Sequence, residues 1–67
     1  MTSELDIYRS AAVLIQQYGE EAPLEAGMRA DSMLAKGDVE GQRTWLRIVR
    51  AIEELQKTTT AEGEVFH

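Results

Sequence analysis

The chain has 67 residues with 12 Asp or Glu against 7 Lys or Arg, a formal net charge of -5, 43% apolar residues and no cysteine. That length leaves room for one small domain and for no large enzyme scaffold. The missing cysteines exclude disulfides and thiolate metal sites, and the acidic balance argues against a general phosphate-backbone binder.

Breaks at Gly19–Pro23, at Lys36-Gly37-Asp38 and at Thr58–Thr60 separate three segments rich in good helix formers. No apolar/polar alternation persists, so the expected class is all-α: a compact three-helix domain over residues 1–57 and a flexible tail over 58–67. Short connections favour antiparallel packing of neighbours.

The first helix is expected over about 4–18. Ser3 is placed to N-cap it, with Asp6 three residues on. Gly19 suits a left-handed C-terminal position. At 100° per residue, Leu5, Tyr8, Ala11, Ala12, Leu14, Ile15 and Tyr18 form one broad apolar arc. Val13 lies among the polar residues opposite.

The second helix is expected over 23–36. Pro23 opens it, where a missing N–H costs nothing. Glu20, Glu21 and Glu25 sit at the positive end of its dipole and Lys36 near the negative end. Its apolar arc holds Leu24, Ala26, Gly27, Met28, Ala30, Met33, Leu34 and Ala35, more than half the circumference. A helix so apolar all round calls for cover on two sides. Met28 and Met33 read as gap-filling core, and Gly27 as a close approach to a ring such as Trp45 or Tyr18.

Asp31 is the oddest residue of this helix. It falls inside the apolar arc, and a buried carboxylate must be paired. One reading bonds it to an Arg, a Tyr or the Trp45 indole. A second makes it a partner-facing acid at the centre of an interface. A third rotates the helix so that Asp31 meets water.

The third helix is expected over 39–57 with Asp38 as N-cap. Trp45, Ile48, Val49, Ile52 and Leu55 share one face. Arg43, Arg47 and Arg50 stand opposite, with Glu54 four residues after Arg50 and placed to pair with it. Val39 and Leu46 sit on the same solvent side. Two apolar residues beside arginines make a small docking patch, so the expected partner-binding residues are Asp31, Val39, Arg43, Leu46, Arg47 and Arg50.

Catalytic chemistry finds little material. The one histidine is His67, and no nucleophile–base pair, metal-ligand spacing or phosphate-cradling glycine motif is present. No catalytic group, cofactor or metal is expected. Nothing resembles a signal peptide and no apolar run approaches ~18 residues, so a cytoplasmic protein is expected.

The residues Gly19-Glu20-Glu21-Ala22-Pro23, Arg29-Ala30-Asp31, Gly37-Asp38 and Trp45, Ile48, Ala51, Ile52 and Leu55 resemble a family of short bacterial single-domain helical proteins that carries no assigned activity. The resemblance implies a helical fold and a bacterial source, and nothing about mechanism. The second and third segments also look like one tetratricopeptide-type hairpin, which alone cannot build the groove of a repeat array.

Together these residues point to a small non-catalytic interaction or regulatory module that binds a protein partner or itself. The alternative is an acidic nucleic-acid mimic that inhibits a DNA- or RNA-binding protein. Direct nucleic-acid binding is not expected, because the arginine stripe lacks aromatic platforms.

Overall fold

The computed structural model describes the backbone of residues 3–65 and the side chains of residues 3–57. The chain is all-helical, with no strand among the described residues. Its elements are α1 (Glu4–Tyr18), a 3-10 turn (Gly19–Glu21), α2 (Ala22–Ala35) and α3 (Val39–Val65).

Local chemistry sets these boundaries. Ser3 Oγ accepts the Asp6 N–H at 3.2 Å and caps α1. Gly19 ends α1 at φ 58°, its N–H donating to the Ile15 carbonyl. The α2–α3 corner is tighter. Asp38 N–H donates to Met33 O and Gly37 N–H to Leu34 O, each at 2.9 Å, with Gly37 at φ 81°. That is the paired 6→1 and 5→2 closure of a helix C-terminus, and its left-handed residue favours glycine. Asp38 then turns round, and its Oδ1 accepts the Gly41 N–H at 2.8 Å to cap α3. A Cβ on Gly41 would lie 2.7 Å from Asp38 Oδ2 and 3.0 Å from Met33 Sδ, so the cap itself asks for glycine there.

The core is small. Ile7, Ala11 and Leu14 of α1, Ala22 and Ala26 of α2, and Ile48, Ala51 and Ile52 of α3 form one cluster, with Tyr8, Ile15, Trp45, Val49 and Leu55 packed at its edge. Ile52 is fully buried. Helix α3 packs against both other helices, and α2 is its main neighbour.

Several expectations need correction. Leu5, Ala12 and Tyr18 are exposed and Ile7 is buried, so the inward face of α1 is centred on Ala11 rather than spread toward Leu5. Helix α1 crosses α3 rather than running along it. Tyr8 reaches Glu54 and Gly19 reaches Gln56. Tyr8 in α1 and Gly19 just past its end, roughly 16 Å apart along the helix axis, thus meet one short stretch of α3, which sets α1 across α3. The helical backbone of α3 runs on to Val65, beyond the stop expected near Lys57. The threonines at 58–60 are weak helix formers rather than breakers. His67, the one histidine, lies outside the described residues.

Candidate functional surfaces

The decisive feature is the way α2 divides its apolar residues. Ala22, Ala26 and Ala30 recur every four residues and are buried. Small side chains let α2 approach closely, since interhelical distance follows the size of the contact residues. The larger residues face outward: Leu24 is 64% exposed, Met28 56% and Leu34 51%. Met28 is therefore not core filling. A Cβ on Gly27 would meet nothing within 4 Å, so no ring packs against it.

Asp31 is exposed on this outward face, and no buried polar or charged residue is found among the described residues. The expected bond to an Arg, a Tyr or the Trp45 indole is absent from the described contacts. The reason is rotation: the alanine stripe, not the centre of the broad apolar arc, faces the core. Asp31 meets solvent between Leu24, Met28 and Leu34.

Helix α3 presents the second surface. Val39 and Leu46 are exposed, as are Arg43, Arg47 and Arg50. Arg43, Leu46, Arg47, Val49 and Arg50 line one shallow groove. None of the three arginines forms an ion pair among the described residues. The expected Arg50–Glu54 pair is replaced by a longer-range contact, in which the Tyr8 O–H donates to Glu54 Oε2 at 2.9 Å. That bond, with the repulsion of the carboxylate for a phenolate, raises the Tyr8 pKa above its ordinary 10.0. The structure thus places Val39, Arg43, Leu46, Arg47 and Arg50 together on α3 and keeps Asp31 apart on α2.

A third feature was missed in the sequence. The Arg29 guanidinium lies 5.0 Å from the centre of the Trp45 ring. Its Nε donates to Glu25 Oε1 at 3.3 Å, and it reaches the Tyr18 hydroxyl at 3.5 Å. One arginine therefore ties the end of α1, the body of α2 and the start of α3. Beside it, Arg9, Val13, Leu14 and Gln17 line a shallow groove with Trp45. The spacing of Glu25 and Arg29 was the available signal; the ring beneath the guanidinium was not visible in a single helix pattern.

Among the described residues no group of His, Asp and Glu is set to hold a metal ion, and no helix is long and apolar enough to cross a membrane. A scan against protein-family models, a search of curated proteins and a search of solved structures each found no match.

Proposed function

We propose that the chain is a non-catalytic, three-helix interaction module that acts in the cytoplasm and docks a protein partner or a second copy through the outward sides of α2 and α3. One observation carries this reading: the large aliphatic side chains Leu24, Met28, Leu34, Val39 and Leu46 stand in solvent while the buried side of α2 is made of alanine. Single exposed aliphatics are ordinary, but grouped ones with charged neighbours fit a docking surface. Asp31 on one side, and Arg43, Arg47 and Arg50 on the other, supply orientation and partner choice.

The test is retention of partners by the immobilised chain from native lysate, at low salt and at about 0.5 M salt, where surface electrostatics is screened. The chain is compared with a Leu24→Gln/Met28→Gln variant and a Val39→Gln/Leu46→Gln variant. A protein that stays bound in high salt and is lost from either variant supports the reading. Retention of a DNA- or RNA-binding protein at low salt alone, unchanged in the variants, replaces it with nucleic-acid mimicry. Recovery of no specific protein, from a chain that is also monomeric, removes it.

A further inference from the structure

The outward sides of α2 and α3 share one spacing. The outermost positions are Leu24, Met28, Asp31 and Ala35 on α2, and Val39, Arg43, Leu46 and Arg50 on α3; all eight are exposed. Both runs step by four, three and four residues, the interval that keeps side chains along the seam between two paired helices. Placed antiparallel, the stripes match along their whole length. Asp31 meets Arg43, Met28 meets Leu46, Ala35 meets the branched Val39, and Leu24 lies along the aliphatic stem of Arg50. A parallel arrangement sets Asp31 against Leu46 and Arg43 against Met28, which leaves an acid desolvated without a cation.

Pairing like with like is worse. Two α2 stripes bring two acids together and no base, and two α3 stripes gather arginines from both chains. Only the mixed pair joins opposite charges and covers Met28 and Leu46 together.

We infer that each stripe is covered by the other stripe of a second copy, α2 of one chain lying antiparallel on α3 of the next. This rests on the interaction-module reading and names its partner. The stripes lie on the sides of their helices away from the shared core, so one contact cannot return on itself as a two-fold pair. It is heterologous, each added chain keeps a free stripe, and association proceeds chain onto chain. Four residues on each side fall short of the ~1,200 Å² of a standard stable interface, so the contact is weak and concentration-dependent.

The experiment is light scattering and sedimentation of the full chain from about 10 μM to about 1 mM, the range in which weak contacts populate. The average mass is expected to climb above the 7.5 kDa monomer without settling at two chains. Asp31→Arg and Arg43→Asp each weaken association about ten-fold or more, and the double exchange restores it. Met28→Glu blocks the α2 stripe and Leu46→Glu the α3 stripe; each variant alone is monomeric, and a 1:1 mixture forms a dimer and nothing larger. All four positions are exposed, and unchanged thermal melts establish that the variants fold. A monomer throughout the range, a closed dimer of the parent chain, or a double exchange that fails to restore association overturns the inference. A monomer that still holds a specific lysate protein through Leu24 or Leu46 overturns the second copy and leaves the interaction module standing.

Discussion

The two sides of α2 are built from the same hydrophobic class and do opposite things. Its inward stripe is Ala22, Ala26 and Ala30; its outward stripe carries Leu24, Met28 and Leu34. Burying leucines inward would have removed more apolar area from water. The alanines admit a nearer neighbour instead, so side-chain volume, not hydrophobicity, decides which way α2 faces. The apolar bulk is then left facing solvent.

The contrast can be broken hardest at its deepest point. Ile52→Ala truncates the largest fully buried side chain of the core cluster and is expected to cost about 2–5 kcal/mol. A domain of this size holds roughly 3–5 kcal/mol in all, so urea unfolding should show a largely unfolded chain. Ala26→Leu attacks the inward stripe by volume, forcing the helices apart for about 1–3 kcal/mol. A midpoint equal to the parent's would mean that α2 does not depend on close approach.

Arg29→Ala cuts the tie across the edge between the two sides and is expected to cost about 1 kcal/mol, read as a small drop in Tm. Arg29→Lys should recover part of it, keeping the charge over Trp45 without the planar fork. Leu24→Gln with Met28→Gln alters only the outward stripe and should stay within about 0.5 kcal/mol in the monomer. A large loss there would place those side chains in the core.

The smallest expected effect is on pH. The pKa of Tyr8 is raised by Glu54, so any stability its hydrogen bond gives is present below the unfolded value near 10 and is lost as pH rises through the higher folded value. Ultraviolet titration should show one tyrosine ionising late, and Tyr8→Phe should abolish that late step.

Much of the frame was legible in the residues. Ser3, Gly19, Pro23, Gly37 and Asp38 are punctuation whose meaning is local, and the structure uses Ser3, Gly37 and Asp38 as capping and turn chemistry requires. The α3 face of Ile48 and Ile52 followed from period alone, as did the outward Val39 and Leu46. The orientation of α2 did not. A helix with apolar residues round more than half its circumference has no unique inward side, and the choice belongs to the shape of its neighbour. Whether Asp31 is buried stayed open for that reason. The setting of α1 across α3 was also out of reach, because it depends on contacts between residues nearly fifty positions apart, such as Tyr8 with Glu54.

The corner at Gly37 and Asp38 has a kinetic consequence. Its few residues satisfy the end of one helix and the beginning of the next, so α2 and α3 meet after a very short loop closure. Contacts that close short loops form soonest. The α2–α3 hairpin is therefore expected to pair early, as is α1 with α2 across the equally short Gly19–Glu21 turn, whereas the Tyr8–Glu54 and Gly19–Gln56 contacts close far longer loops and come last.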